Sequence, residues 1–402
     1  YFMNMYKAEK LDDYTVRVHT KRPDPIFETL MAVQQAMIVP RDYISGLSGH
    51  PEVDEVSDYE AFGLAPVGTG PYKISNWVPG EGFVWERHED YWGEPAPMER
   101  ITVDRIPELA ARITGLASGE LDLITNLPPD QVQTVEGNAD TKVVGALTPL
   151  FHVVFFNTNH PKMTKPLRQA MVAGIDRQLL VDALWNGKAK VPANHSYSQY
   201  GPLYMPEYEV LEYDPDRARR LVEESGYDGF EIRYDTHPTY YTNGLLAAQA
   251  LKEMWADIGI NLVLNVDERW TGNDNDCSVM DDCLMVRNWS NPMYFPDPVG
   301  SFGTMWSPGG ARINAGSWTP EDPAAYQALY ERFRFSEDVE TRKALYQEIM
   351  DQVMKEEAVF TILYQPYESY GLRDNVEWQP LPGHIPYVLD FRAGNLSVGA
   401  EG

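Results

Sequence analysis

The chain has 402 residues, of which 43% are hydrophobic and 23% are charged, and its 60 Asp and Glu outnumber 33 Lys and Arg for a formal net charge of −27. This length and apolar content suit two or three domains with their own cores and exclude a disordered polyanion. The excess of negative charge repels phosphate backbones, and the basic residues are scattered, so we expect no nucleic-acid partner. No apolar stretch reaches the roughly 18 to 20 residues that a membrane-spanning helix needs.

The first predicted element is a strand over Tyr14–His19, and a short apolar helix follows over Ile26–Val33. This strand begins close to the start of the chain with no capping element before it, and the first residues contain no signal-peptide core. We therefore expect that the N-terminus is missing or processed.

A β-hairpin is predicted from two strands, Lys73–Trp77 and Phe83–Arg87, because a Pro-Gly turn joins them. The turn Gly68–Tyr72 precedes this hairpin. The pattern then predicts a strand over Ile101–Ile106, a helix from Glu108 to Ser118 that Gly119 ends, and a strand over Leu121–Ile124.

From Phe151 onward, strand and helix patterns alternate, which predicts an α/β fold with a mixed sheet flanked by helices. Leu167, Met171, Ile175 and Leu184 form the apolar stripe of one predicted helix, and Asp214 is a predicted helix cap. The other predicted elements are strands over His152–Phe156, Phe230–Tyr234, Ile260–Val266 and Ala358–Leu363, and helices over Leu245–Ile258, Pro320–Phe335 and Val339–Lys355.

The two cysteines, Cys277 and Cys283, lie in the acidic segment Asp274–Cys283. A local disulfide and two buried thiols both remain open for this pair. The segment lacks the spacing, the glycine and the terminal glutamate of an EF-hand loop, so we interpret it as a solvated acidic loop and expect no metal.

Local signatures of catalysis are missing from the sequence. The segment His88–Trp92 begins like a zincin helix but has no second histidine at the fifth position, and Gly68–Gly70 leads into a strand rather than into the helix that would bind a dinucleotide phosphate. A nucleophile elbow and a P-loop are also missing. We therefore expect no cofactor and no enzyme, although a pair of distant carboxylates is left open.

Aromatic residues in loops beside polar groups favour ligand binding instead. Tyr197 and Tyr200 share one loop, and the segment Arg287–Tyr294 follows an apolar stretch, so that Arg, Trp and Tyr are delivered to its end. Flat rings give contact area and a guanidinium orients an anion. For any single residue, aromatic cover of a loop-rich surface is an equal alternative.

Several segments together resemble one family, the peptide/nickel class of extracellular solute-binding proteins that serve ABC importers. They occur in the family's order along nearly the whole chain. These segments are Asp12–Arg17, Gly68–Tyr72 with Glu86–Gly93, Ala117–Asp122, Phe156–Asn159 with Leu167–Ala170, Tyr213–Pro215 with Gly226–Tyr227, and Gln249–Ile260.

The resemblance implies a two-lobed periplasmic binding protein with an extra subdomain in lobe 1. Residues 1–67 would form part of that smaller subdomain, 68–156 the main part of lobe 1, 157–362 lobe 2, and 363–402 the crossover back to lobe 1. Family members also have an N-terminal segment that starts the first lobe, and it has no counterpart in this sequence.

The resemblance also implies ligand contacts. Arg287, Trp289 and Tyr294 lie in a segment that faces the ligand in the family, together with Asn291 and Asp297. For Asp297 a role in turn and helix-cap structure is favoured. Tyr197, Tyr200 and Gln35 are further candidates in segments that contact ligand in some members.

The predicted function is that of the substrate-binding component of an ABC importer, which captures a peptide or similar small polar solute by closure of two lobes. Its partners would be the ligand and a membrane permease, and we expect a monomer in the periplasm or outside the cell, with a lipid anchor through a missing N-terminus left open. The alternatives are a sensor or chaperone on the same fold and a carboxylate-based hydrolase. The ligand class is also open among peptides, opines, metal chelates and oligosaccharides.

Overall fold

The computed structural model of the protein describes residues 4–33, 36–40, 43, 62–63, 65–268, 285–381 and 389–399. Its helices are α1 (Phe27–Met31), α2 (Leu109–Ser118), α3 (Val132–Glu136), α4 (Lys165–Ala173), α5 (Arg177–Trp185), α6 (Pro215–Glu224), α7 (Gly244–Asp257), α8 (Phe302–Trp306), α9 (Ala311–Asn314), α10 (Pro323–Phe335) and α11 (Val339–Met350). Short 3₁₀ helices span Pro129–Gln131, Ser198–Leu203 and Pro298–Gly300, and a π-helical turn spans Asp351–Glu356.

The strands are β1 (Met5–Lys10), β2 (Val16–Thr20), β3 (Tyr72–Val78), β4 (Gly82–Arg87), β5 (Arg100–Asp104), β6 (Leu123–Leu127), β7 (Thr141–Leu147), β8 (Leu150–Phe156), β9 (Ile232–Thr236), β10 (Leu262–Val266), β11 (Met285–Pro292), β12 (Phe360–Tyr364), β13 (Tyr367–Arg373), β14 (Val376–Trp378) and β15 (Leu396–Val398).

The chain divides into two compact units. Unit 1 combines the chain up to Val33 with Leu147–Tyr367, and unit 2 combines the described residues of 34–146 with Glu368–Leu381 and the described residues of 388–402. This grouping differs from the predicted lobes at the start of the chain, because the segment up to Val33 packs with unit 1. The predicted lobe boundaries themselves stay a prediction.

Within the described residues, unit 1 contains a five-stranded sheet in the order β10-β9-β11-β8-β12. β9 runs parallel to both β10 and β11, whereas β8 is antiparallel to both β11 and β12. The sheet is therefore mixed, as the alternation of strand and helix patterns predicted.

Strand β8 forms the centre of this unit, and all seven of its residues are buried. On one face of the sheet, Val154 and Phe156 join an apolar cluster with Trp185 of α5 and Trp255 of α7. A strand buried along its whole length must be covered on both faces, and on the other face Phe151 and Phe155 contact the rings of Tyr197 and Trp306.

The apolar stripe from Leu167 to Leu184 belongs to two helices, α4 and α5, so the prediction of one helix was wrong. Helix α4 ends at Gly174, and Asp176 caps a new helix by accepting a hydrogen bond from the Leu179 N–H at 2.9 Å. Residues on both sides of such a break can keep one apolar face toward the same core, so the stripe continues through it.

The first predicted strand is paired, contrary to the expectation that no element precedes it. β1 and β2 form an antiparallel hairpin. The chain then reaches Asp24, whose carboxylate accepts two hydrogen bonds from Arg334 of α10, at 2.6 and 2.8 Å, and one from Asn4 at 3.1 Å. This ion pair is almost completely buried and attaches the hairpin segment to α10.

Burial disfavours the charged form of Asp24 and by itself would raise the pKa of the carboxyl. The guanidinium of Arg334 acts in the opposite direction, and the net result is a lowered pKa. An exposed contact accompanies the buried pair: Arg22 binds Glu331 at 3.0 Å and stacks on the ring of Phe335. Asp24 and Arg334 depend on each other, because removal of either one would leave the other charge buried without a partner, at a large cost in free energy.

Unit 2 contains two three-stranded sheets, β3-β4-β5 and β6-β13-β7, and the two-stranded ribbon β14-β15. β3 and β4 form the predicted hairpin, and α2 ends at Gly119 in the left-handed conformation (φ +79°) that favours glycine. Strands β7, β13, β14 and β15 were not predicted. None of the helices in the described part of the chain is long and apolar enough to cross a membrane.

We expect Arg334→Met to lower the free energy of unfolding by about 3 to 5 kcal/mol, because it leaves the Asp24 carboxylate buried without its guanidinium. The double variant with Asp24→Asn should recover part of this loss. Urea denaturation followed by circular dichroism measures both effects. Arg332→Met, at an exposed position of the same helix, is the matched control, and an equal loss in both single variants would contradict the importance of the buried pair.

Candidate functional site

Strand β11 presents the predicted site residues on one face of the unit 1 sheet. Arg287 lies opposite Phe155 of β8, and Trp289 lies opposite Val153. Side chains alternate along a strand, so these residues share a face, while Val286 points into the apolar cluster on the other side. The sheet thus separates the site face from the core face.

Two arginines lie close to the indole ring of Trp289. The guanidinium carbon of Arg287 lies 5.1 Å from the ring centroid, and that of Arg312 lies 4.8 Å from the same centroid. Arg312 also lies 4.6 Å from the ring of Phe155. Both arginine side chains are 4% exposed, and aromatic faces attract such cations.

Arg312 was not predicted as a site residue. It belongs to the four-residue helix α9 after a Gly-Gly turn, and nothing in that local pattern distinguishes it from a surface arginine. Burial, together with the nearby charge of Arg287, lowers its pKa to about 10. The guanidinium therefore remains charged at neutral pH, and the site face carries two positive charges close together.

Tyr294 and Asp297 follow β11 in the chain but lie in different surroundings. Tyr294 is half-buried, and burial raises the pKa of its hydroxyl. Asp297 is buried, accepts the Val299 N–H at 3.0 Å and binds Nη2 of Arg342 at 2.9 and 3.1 Å. Burial raises the pKa of Asp297, against the opposing attraction of Arg342. These contacts support the favoured role of Asp297 in turn and cap structure.

Tyr197 and Tyr200 are buried in the same unit. The Tyr197 ring stacks on Phe151 with centroids 4.0 Å apart, and its hydroxyl donates to the backbone carbonyl of Asn291 at 2.5 Å. The Tyr200 hydroxyl is hydrogen-bonded to the Ser301 hydroxyl. Both hydroxyls bind within the unit: Tyr197 holds the backbone of β11 from the same face as the site residues, and Tyr200 holds the segment at Ser301. The side chain of Asn291 is also buried, at 1% exposure.

His195 lies in an aromatic cage on this face. Its ring meets the rings of Phe151, Phe302 and Phe360 edge to face, with centroids 5.1 to 5.9 Å apart. The Tyr346 hydroxyl donates to the His195 carbonyl at 2.6 Å and lies 3.2 Å from Nδ1. Burial lowers the pKa of His195 to about 4, so the imidazole is neutral at pH 7.

Three predicted residues, Gln35, Cys277 and Cys283, lie outside the described residues. Within the described ranges, no group of three or more His, Cys, Asp or Glu side chains is arranged to hold a metal ion.

We expect the free energy of unfolding to fall as the pH is lowered from about 6.5 to about 4. In that interval an unfolded histidine, with an ordinary pKa of about 6.5, binds a proton that native His195 does not. His195 should contribute about 3 kcal/mol to this loss, and His152, whose pKa burial lowers to about 3, adds to it.

His195→Phe should therefore reduce the pH dependence measured by urea denaturation at a series of pH values. Leu246→Phe, a change to the same residue at an exposed position without an ionisable group, should leave that dependence unchanged. Identical slopes in the His195→Phe variant and the parent would contradict a neutral native His195.

The chain is similar to a protein family and to several known proteins. A family model described as bacterial extracellular solute-binding proteins, family 5 middle region, matches residues 1–312. Heme-binding protein A of Haemophilus influenzae is 27% identical over 262 residues, which are 63% of this chain and 46% of that protein. Di/tripeptide-binding protein 3 of Pseudomonas aeruginosa is 24% identical over 377 residues, or 90% of this chain and 68% of that protein. The chain spans about half the length of most of the first curated relatives it matches.

The fold is similar to that of the ABC transporter-associated periplasmic binding protein DppA from Helicobacter pylori, solved with the peptide STSA. The TM-score is 0.81 at 22% identity, and the match covers 98% of this chain and 74% of that chain. This likeness confirms the predicted α/β fold of the two-lobed periplasmic binding proteins. The family match over residues 1–312 confirms the predicted resemblance, and the chain belongs to family 5 of the bacterial extracellular solute-binding proteins.

Proposed function

We propose that this chain acts as the substrate-binding component of an ABC importer. It captures a peptide or a similarly sized polar solute by closing on it and presents that solute to a membrane permease. Membership of a solute-binding family supports this proposal, and so does a fold similar to that of a binding protein solved with a bound peptide. Closure gives a physical signal, since a ligand shifts a protein toward the state that it binds better.

The pair of arginines close to the ring of Trp289 carries the proposal. Arg287 and Arg312 bring two guanidinium groups to one ring on a preformed strand face. A guanidinium binds a carboxylate through two parallel hydrogen bonds, which fixes the orientation of the ligand as well as its charge. We therefore assign the acidic group of the ligand, such as a peptide C-terminus, to Arg287.

Other residues of the face have supporting roles in this proposal. Trp289 and Tyr294 are half-buried, so their rings retain surface with which to enclose the body of the ligand and exclude water. Tyr197, Tyr200 and Asp297 are occupied by contacts inside unit 1, and their role is to hold β11 and the turn after it in position.

The proposal places the protein outside the cytoplasm, where the permease meets its ligand, and assigns no chemical step to it. The ligand leaves unchanged. Mass spectrometry of a bound peptide before and after incubation would detect hydrolysis, and cleavage would replace the transport role with an enzymatic one.

We expect a set of di- and tripeptides, each supplied as free acid and as C-terminal amide, to contain members that raise the melting temperature. One-site binding at a hundredfold excess over Kd adds about 2.7 kcal/mol to the free energy of unfolding. Free acids should bind about 10- to 100-fold more tightly than their amides, since a charged hydrogen-bonded pair contributes about 1.5 to 3 kcal/mol. Calorimetric titration measures the ratio.

Arg287→Ala should reduce this preference for the free acid to near unity while amides keep most of their affinity. The matched control is Arg219→Ala, which removes the same charge from an exposed pair with Asp216 and should keep the preference. If Arg287→Ala also keeps it, the assignment of Arg287 is wrong. If no peptide of the set binds, the proposed ligand class is wrong.

A further inference from the structure

Strand β9 stays beside β10 to its end but parts from β11 before that end. Its parallel register with β10 continues to Thr236, whose carbonyl accepts the Asp267 N–H at 3.0 Å. Its register with β11 ends one residue earlier, at the pair Asp235 and Arg287. The two strands therefore diverge just beyond Arg287, and we call this place the strand fork, with Thr236 on one side and Asn288 on the other.

The side chains of Thr236 and Asn288 lie on the same face of the sheet at the strand fork. The register that pairs Tyr234 with Val286 leads, two residues further along each strand, to Thr236 and Asn288. Tyr234 and Val286 belong to the apolar core cluster, and side chains two residues apart on a strand share a face. Thr236 and Asn288 are therefore on the core face, opposite to the face that carries Arg287.

Both side chains carry a buried oxygen atom that is not paired. Thr236 is 1% exposed and Asn288 is 5% exposed, and neither Oγ1 of Thr236 nor Oδ1 of Asn288 has a hydrogen-bond partner among the described residues. By contrast, the buried Thr361 hydroxyl on β12 accepts a hydrogen bond from Nη2 of Arg177 at 2.6 Å. Buried polar groups are normally hydrogen-bonded, so the two oxygens at the strand fork indicate a further partner.

Helix α7 and the loop before it cover the strand fork. A Cβ atom built on Gly244, the first residue of α7, would lie 3.3 Å from Nδ2 of Asn288 and 3.0 Å from Cβ of Tyr241. The Tyr241 hydroxyl is hydrogen-bonded to the hydroxyl of Ser290, two residues beyond Asn288 on β11, at 3.1 Å. A molecule bound at the strand fork is therefore small and shielded from bulk solvent.

The atoms at the strand fork determine which molecule fits. Oδ1 of Asn288 only accepts hydrogen bonds, so its partner must donate one, which a halide or a carboxylate cannot do. Oγ1 of Thr236 both donates and accepts. The nearby N-terminus of α7 adds donors, because the first N–H groups of a helix have no acceptor within it and Asn243 makes no side-chain cap bond. Water donates twice and also accepts, and buried waters typically make about three hydrogen bonds.

We propose that the strand fork binds a single water molecule, which bridges Oγ1 of Thr236 and Oδ1 of Asn288 in the folded protein. The bridge takes the place of the pairing between β9 and β11 that ends at Arg287. Beyond that residue β11 continues its register with β8 as far as Pro292. The bound water thus holds β11 from the core face, opposite to Trp289, and it is independent of the ligand.

A crystal structure of the protein at a resolution that shows ordered water tests the proposal directly. We expect a water within about 2.5 to 3.0 Å of both oxygens. A direct hydrogen bond between Thr236 and Asn288, or a strand fork without a bound molecule, would overturn the proposal. Crystals grown in bromide add a control, because an anomalous peak at the strand fork would assign it to an anion at the helix N-terminus and would also overturn the proposal.

A pair of variants extends the test to solution, where oxygen-17 relaxation dispersion counts the water molecules that stay bound longer than the protein takes to rotate. Thr236→Val replaces the hydroxyl with a methyl group and should lower this count by about one. Thr236→Ser keeps the hydroxyl and should leave the count unchanged. Equal counts in Thr236→Val and the parent would overturn the proposal. The crystal structure needs no variant, and neither measurement involves a ligand, so the result is separate from the proposed transport role.

Discussion

The antiparallel pairing of β8 with β11 is the interaction on which the rest of unit 1 depends. It fixes the register in which Arg287 lies opposite Phe155, and a shift of one residue would exchange the site face of β11 for its core face. The register is held from both sides of the sheet, because β8 is buried throughout and the Tyr197 hydroxyl binds the backbone of β11 at Asn291. A face that carries arginine side chains is thus maintained by an apolar strand next to it.

The sequence predicted those helices and strands whose ends are set by residues close to them in the chain. Asp214 caps α6 as expected, by accepting a hydrogen bond from the Arg217 N–H. The Pro-Gly turn between two strand patterns also predicted the hairpin of β3 and β4. Apolar spacing failed at Gly174, because a stripe records which side faces the core and does not record whether one helix or two carry it.

Contacts between distant parts of the chain had no local signal. Asp24 and Arg334 are separated by 310 residues, and each resembles an ordinary charged surface residue within its own segment. Arg312 reaches Trp289 only through the fold, and for that reason its positive charge on the site face was not predicted. Tyr197 and Tyr200 were predicted as candidate ligand contacts. Their burial was not predicted, because it depends on Phe151 and Ser301 in other segments.

Arg287 and Arg312 are positively charged, whereas the whole chain has a formal net charge of −27. An acidic solute of the proposed kind would be repelled at long range and attracted within contact distance of Arg287 and Arg312. Salt screens the long-range repulsion beyond a Debye length, which is about 8 Å at physiological ionic strength. It screens interactions between buried groups much less. For such a solute, added salt would speed association and leave the bound state nearly as stable. In a binding protein that attracts its ligand from a distance, added salt slows association instead.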